Sequence, residues 1–374
     1  MKRDELLIIY GKNVPGMTRR LLEEADLAGL IPSKEARIGI KPNLVSPMPA
    51  EEGATTHVEV VEALIGYLKE NGFANLVMLE SSWVGDRTSD SMQICGYNRL
   101  SERTGVPFLD LQKDTSREVD CVGLTLKVCQ QALALDFLIN VPVLKGHCQT
   151  AITCALKNMK GLLPASEKRH FHRMGLHDPI AHLSAGVHQD FILVDSICGD
   201  LTFEDGGNPV QQDRLMAARD PVLCDAYGCR VLGLETEEVP YIKKAAELGV
   251  GSDCLRDEQI RILEETSAGD YVTAEADRLG RMESGYSRIC RLSEAACQVD
   301  ACSACYAALM PALDRLDREG RLKGFDQRIC IGQGYRGKTG ELGIGNCTAG
   351  FTHSLPGCPP REDEVYEFLK LQLG

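Results

Sequence analysis

The sequence predicts an α/β fold, in which a mainly parallel, layered sheet domain over residues 1–265 precedes a smaller C-terminal α/β domain over residues 266–374. Two observations carry this. Through most of the chain, short apolar runs alternate with helix-like patterns, the rhythm of strands covered by helices. Around residues 265–290 that rhythm lapses into a polar, glycine-containing stretch without a sustained period, where a domain boundary belongs. An apolar content of 44% over 374 residues is enough to bury two cores.

Leu6–Tyr10, Arg37–Ile40, Leu76–Leu79, Phe137–Val141 and Phe191–Val194 read as buried strands, each a short apolar run between polar punctuation. Thr56, followed three residues later by Glu59, fits a capping box, and Val58, Val61, Ile65 and Leu68 then form one apolar stripe. Asn71-Gly72 stops that helix. Val122 to Val128 alternates apolar and other residues, so a hairpin is expected to interrupt the parallel pattern. From Thr150 to Lys160 the spacing predicts a helix. Ala151, Ile152, Ala155, Leu156 and Met159 make its apolar face, and Thr150, Thr153, Lys157 and Lys160 its polar one. Asp220 and Pro221 open a further helix through Asp225 and Cys229. In the C-terminal domain a helix is predicted from Glu294 to Arg318, a strand at Ile329–Ile331 and a closing helix over Asp363–Leu371.

Three polar groups follow predicted strands: Lys41-Pro42-Asn43, Glu80-Ser81-Ser82 and Lys145-Gly146-His147. Ligands of open α/β sheets bind beyond the carboxyl ends of strands, so these loops are expected to converge on one pocket. Lys41, Asn43, Lys145, Lys157 and Lys160 would hold an anion there, with His147 and Glu80 as the acid–base groups. From Lys157 to Arg173 five Lys or Arg stand against one acid, in a chain of net charge −13. Such a local field suits a carboxylate or phosphate, although a solvated basic helix face has the same signature. His170, His172, His177, His182 and His188 crowd the same stretch, and at least one is expected to line the pocket.

The last quarter carries the sharpest chemical signal. Cys302 and Cys305 form a C-x-x-C pair, followed by Cys347 and by Cys358 within Gly357-Cys358-Pro359-Pro360. A close pair plus two distant single thiols is what a 4Fe–4S cluster needs, one thiolate per iron. Zinc takes four thiolates equally well, though its usual structural sites use two close pairs. Plain burial of small apolar side chains is a third reading. Cys297, with Cys302 and Cys305, also mimics plant-type two-iron spacing, which would leave Cys347 or Cys358 unused. Gly332 to Thr339 satisfies the P-loop expression, but Gly340, Gly343 and Gly345 follow, poor sequence for the helix a phosphate loop must open. No nucleotide is expected there.

Sixteen cysteines with no charged, apolar leader at Met1 point to reduced thiols and a cytoplasmic setting rather than a disulfide framework. No stretch approaches the ~20 apolar residues of a membrane span. The acidic charge argues against nucleic-acid binding, which needs a basic footprint.

Ile40-Lys41-Pro42-Asn43-Leu44, Thr55-Thr56-His57, Val143-Leu144-Lys145-Gly146-His147 and Leu156-Lys157-Asn158-Met159-Lys160-Gly161 together resemble the family catalogued as domain of unknown function 362, over roughly residues 35–235. That resemblance implies an association with iron–sulfur cysteines, frequently in an appended ferredoxin module. This chain lacks the repeated cysteine run of that module. Its Leu355-Pro356-Gly357-Cys358-Pro359-Pro360 is instead similar to a cluster-ligand segment in small subunits of nickel–iron hydrogenases and of respiratory complex I, which supports the ligand role of Cys358 alone. The family looks distantly related to lactate racemase, implying carboxylate substrates.

The expectation is therefore a cytoplasmic 4Fe–4S protein acting as an oxidoreductase on a small anionic substrate, with a redox partner protein. A non-redox isomerase or lyase with a structural or Lewis-acid cluster comes second, and a pure electron carrier third. Oligomeric state is not encoded in any pattern of this chain.

Overall fold

The computed structural model describes residues 1–203, 208–263, 285–301, 303–323 and 328–373. Cys302 and most of the expected domain boundary lie outside the described residues. In chain order the strands of the first part are β1 (Leu6–Tyr10), β2 (Ile38–Pro42), β3 (Leu76–Glu80), β4 (Phe108–Asp110), β5 (Ser116–Asp120), β6 (Thr125–Cys129), β7 (Phe137–Val141), β8 (Lys145–His147), β9 (Ala151–Thr153), β10 (Phe191–Asp200), β11 (Pro209–Ala218) and β12 (Ile260–Ile262). Eight of them form one sheet in the order β12-β1-β11-β10-β7-β2-β3-β4. From β10 to β4 every neighbour is parallel. Only β11 runs against its neighbours β10 and β1.

Strands β1, β2, β3, β7 and β10 are buried at every residue, which is why they read as continuous apolar runs rather than alternating ones. Their alternate side chains feed two cores. Leu7, Ile9, Ile38, Ile40 and Met78 pack with the helices Val14–Glu24 and Val58–Glu70 on one face. Leu6, Ile8, Val77, Leu79 and Val194 pack with the helices His177–Gly186 and Pro221–Leu232 on the other. The chain leaves β2 for β3 and β4 on one side, then returns to place β7 and β10 on the other. Strand order thus reverses at β2, and the crevice at its carboxyl end is the natural ligand site of such a sheet.

Two expectations need correction here. The capping box at Thr56 does not form. Thr56 Oγ1 donates to the Val141 carbonyl at 2.8 Å and accepts from the Asn43 amide at 2.8 Å, so it ties the ends of β2 and β7 together. The helix begins at Val58, with no side-chain cap. The continuous helix from Thr150 to Lys160 is also absent. Residues 145–153 form the antiparallel hairpin β8–β9, with Ala151 at φ 64°, and only Ala155–Asn158 is α-helical before a 3₁₀ turn at Met159–Leu162. A short alternation of small and branched residues satisfies both periods, and the hairpin won because His147 Nδ1 accepts the Gln149 and Thr150 amides at 2.9 and 3.0 Å.

A second sheet follows, of β13 (Ala296–Gln298), β14 (Ile329–Ile331), β15 (Leu342–Ile344) and β16 (His353–Leu355), all parallel and in sequence order. The helix expected from Glu294 instead runs Ser303–Arg318, because residues 296–298 pair as β13. That helix and the closing helix Glu362–Leu373 cover the sheet through Leu309, Leu313, Leu316, Val365 and Leu369. Cys148 and Phe203 of the larger part join this core, so the two sheets share an apolar seam. The segment Ile329-Cys330-Ile331-Gly332 recurs as Leu342-Gly343-Ile344-Gly345, each copy a strand running into a 3₁₀ turn. The P-loop look-alike is the first of these turns, and β15 follows it where a phosphate loop would open a helix.

Candidate active site

At the carboxyl ends of β2 and β3 lies a cavity of about 60 Å³, large enough for a carboxylate or phosphate group. Its walls include Asn43, Glu80, Ser81, Trp83, Lys157, Lys160 and Lys168. Directly behind Glu80, the fully buried Lys41 Nζ donates to Glu80 Oε2 at 2.7 Å, and the Ser81 amide donates to Glu80 Oε1 at 2.8 Å. Burial pushes the Lys41 ammonium below its ordinary value, and Glu80 opposes that fall. Lys168, from the helix Ala165–Met174, reaches across to donate to Ser81 Oγ at 2.8 Å and to the Ser82 carbonyl at 2.8 Å. Burial pushes Lys168 down to about 8, Glu80 pulling the other way and Lys41 adding repulsion. Lys157 Nζ donates to Thr153 Oγ1 at 3.2 Å. Three ammonium groups and one carboxylate line the cleft, and a fourth ammonium is already committed to that carboxylate. The field inside favours an anion.

Gly161 seals the back of the cleft. Its amide carbonyl accepts from the Ser81 amide at 2.9 Å, and a Cβ there would lie 1.8 Å from Glu80 Oε1 and 2.6 Å from Lys41 Nζ. The Lys-Gly step at 160–161 is thus a steric requirement of the ion pair.

Of the expected anion ligands, Asn43, Lys157 and Lys160 line the cleft, with Lys41 one layer behind through Glu80. Lys145 and His147 lie outside its lining. Lys145 is fully buried and donates to the Ala54 carbonyl at 2.7 Å, while His147 Nδ1 is engaged by the hairpin amides. None of the five crowded histidines lines the cleft. His172 and His177 instead border a larger cavity of about 530 Å³ against Gln298, Asp300 and Tyr306 of the C-terminal part. Lys168 was visible in the sequence only as one charge in a basic run, and Trp83 and Ser81 carried no periodic signal.

A buried His–Asp pair also went unread. Asp195 on β10 accepts from the His57 amide at 2.7 Å and faces His57 Nδ1 at 2.8 Å. Burial lowers the affinity of His57 for a proton, yet the charge and hydrogen bond of Asp195 outweigh it and raise the imidazole to about 9. Among the described residues, three potential metal donors lie within 4.8 Å of one another at Cys154, Cys224 and Asp225. There Asp225 accepts the Ala155 and Leu156 amides at 2.7 and 3.3 Å, which caps the short helix carrying Lys157. Burial holds its carboxyl up at about 7.

The described thiols of the C-terminal set gather at the carboxyl ends of β15 and β16. Gly345, at φ 93°, passes so close to Cys305 that a Cβ would stand 2.8 Å from its Sγ. The turns bearing Cys347 and Cys358 are tied together, the Asn346 amide donating to the Gly357 carbonyl and the Gly357 amide to Asn346 Oδ1, both at 2.8 Å. Among the described residues, Cys305, Cys347 and Cys358 do not come together as a donor group within 4.8 Å. Cys297 sits apart, beneath Tyr335, whose hydroxyl donates to its Sγ at 3.1 Å.

Trp83 joins the two regions. It lines the cationic cleft and also a neighbouring cavity of about 170 Å³ walled by Cys148, Phe203, Ala304, Pro359 and Pro360. Ala304 and Pro359 flank Cys305 and Cys358 in sequence.

Among the described residues, no helix is long and apolar enough to cross a membrane. The chain is 24% identical over 243 residues to a thylakoid-associated protein of Synechocystis sp., covering 62% of this chain and 74% of that one. It is similar to the lactate racemase apoprotein of Thermoanaerobacterium thermosaccharolyticum at 16% identity and a TM-score of 0.43, over 62% of this chain and 58% of the other. A Thermotoga maritima protein matches at 12% identity and a TM-score of 0.37, over 63% and 57%. The chain thus spans less than two thirds of either solved structure. The model of the domain of unknown function DUF362 matches residues 38–230, from the first residue of β2 into the helix that follows β11 and across every residue of the cleft, and the protein belongs to that family.

Proposed function

We propose that the protein is a redox enzyme that binds a small carboxylate or phosphate in the cleft and holds a 4Fe–4S cluster on Cys302, Cys305, Cys347 and Cys358. The observation that carries this reading is Trp83, one side chain that walls both the cationic cleft and a neighbouring cavity lined by Ala304 and Pro359, the sequence neighbours of Cys305 and Cys358. Held by those cysteines, a cluster would supply single electrons. The chain's own residues account for the remainder. Lys157 and Lys160 neutralise the anionic end of the substrate, Asn43 and Ser81 offer hydrogen bonds that fix its orientation, and Trp83 screens it from water. Glu80, held against Lys41 and the Ser81 amide, is the carboxylate placed to take or return a proton at the substrate.

The same Glu80–Lys41 pair favours a second reading, a proton-transferring isomerase or lyase in which the cluster is structural. Redox titration of anaerobically prepared protein separates the two. A cluster that cycles reversibly, and whose oxidation state changes on adding substrate-like carboxylates with reductant, supports the oxidoreductase. Protein with no iron, or with a cluster inert to titration, overturns it. Anion binding is read separately. Phosphate, sulfate or small carboxylates should raise the unfolding temperature, by about 2.7 kcal/mol of stabilisation at a hundredfold excess over Kd.

A further inference from the structure

We propose that Cys297 and Cys330 form a reversible dithiol–disulfide site whose oxidation joins β13 and β14 covalently. The two residues are direct partners in the parallel register of these strands. Neighbouring strands lie about 4.8 Å apart, inside the ~4.4–6.8 Å range of Cα separations that a disulfide spans, so the register puts the two backbones within bridging distance. The Tyr335 hydroxyl donates to Cys297 Sγ at 3.1 Å, and both thiols and that hydroxyl influence one another electrostatically. Both are half-exposed, so a reagent reaches them. Cys154 and Cys224 are the contrasting pair: their sulfurs lie 4.0 Å apart, but both are buried away from solvent.

Tyr335 gives the pair its chemistry. A hydroxyl donating to sulfur stabilises the thiolate, the form that attacks a disulfide. Burial raises the Cys330 thiol and the tyrosine bond works against that rise. The ring is pinned edge-on against Phe351, centroids 5.5 Å apart. Arg336, the next residue, donates from Nε to Cys347 Sγ at 3.4 Å, so one turn touches this dithiol and a thiol of the neighbouring set. The dithiol does not depend on the cluster reading.

The step balances with a low-molecular-weight disulfide as oxidant. Cys297 loses its proton and attacks one sulfur of that disulfide, whose S–S bond breaks and releases one thiolate that takes up the proton. Cys330 then loses its proton and attacks Cys297 Sγ, expelling the second thiolate, which is protonated in turn. Two protein thiols are oxidised and one small disulfide becomes two thiols.

The test uses the full chain, exposed to oxidised glutathione, blocked with N-ethylmaleimide, digested and read by mass spectrometry. The expected product is a peptide pair joined through Cys297 and Cys330, two hydrogens lighter than its separate parts and parted by dithiothreitol. In Cys330→Ser, Cys297 should retain one glutathione. Tyr335→Phe should slow linkage by about two- to tenfold, the loss of one hydrogen bond. Maleimide on both cysteines after oxidation, or linkage of either to a different cysteine, overturns the site. An unchanged rate in Tyr335→Phe removes the tyrosine from it.

Discussion

Gly161 shows how little freedom a single residue has at the cleft. With Glu80 Oε1 only 1.8 Å from where its Cβ would stand, Gly161→Ala must part Lys41 from Glu80 or push the 3₁₀ turn away. Either leaves a buried charge poorly paired, so a loss of roughly 2–4 kcal/mol in chemical denaturation is expected, with loss of the anion response. A variant as stable as the parent would show that the ion pair is not tightly packed. His57 makes a prediction in pH. Its folded value, about 9, lies above the ordinary 6.5, so the folded state binds the extra proton between those limits. The stabilisation from the Asp195 pair is complete below pH 6.5 and is lost as pH rises through 9, up to about 3 kcal/mol in all. Asp195→Asn should flatten that slope, and a parent curve level from pH 6.5 to 9 would refute the pairing.

Among elements, the hairpin β8–β9 decides which lysines serve the cleft. It turns Lys145 onto the Ala54 carbonyl and leaves Lys157, on the short helix after β9, facing Thr153 and the cavity. Lys157→Met should therefore erase the thermal stabilisation by phosphate or sulfate while iron content is unchanged. Lys145→Met should lower stability but keep the anion increment. The reverse pattern would place the anion at the hairpin. The parallel strands were legible because burial on both faces writes unbroken apolar runs, as in Phe137–Val141. The hairpin was not, because Ala151, Ile152 and Thr153 fit either period and their pairing is settled by His147, a contact no local pattern encodes. Asn43 was readable as a cleft residue from its strand end, whereas Lys157 and Lys160 reach the cleft from a short helix and a 3₁₀ turn rather than from the continuous helix whose spacing grouped them. Lys168 comes from the helix Ala165–Met174 and Trp83 from the turn just after β3, and only the tertiary fold brings the two together at the cleft.

At the scale of the whole molecule, Cys148 and Phe203 pack into the core of the second sheet, and the C-terminal part walls the cavity that neighbours the cleft across Trp83. Protein prepared without oxygen should carry about four irons and four sulfides per chain if the four cysteines hold a full cubane. Stoichiometric zinc in that material would replace the cluster reading. Gly345→Ala, a Cβ 2.8 Å from Cys305 Sγ at a backbone angle of φ 93°, should sharply lower iron content with little effect on the anion response. Loss of both together would mean that the two regions fold as one unit.

Trp83 is also the only tryptophan in the chain. Its emission therefore reports from one known place, between the cleft and the thiol-bearing turns, with no background from other indoles. An anion entering the cleft alters the polarity around the ring and shifts the emission band. If the cysteines hold a cluster, its broad absorption should quench that emission. Wavelength and intensity should then separate the proposed ligand occupancy from metal loading in one unlabelled sample.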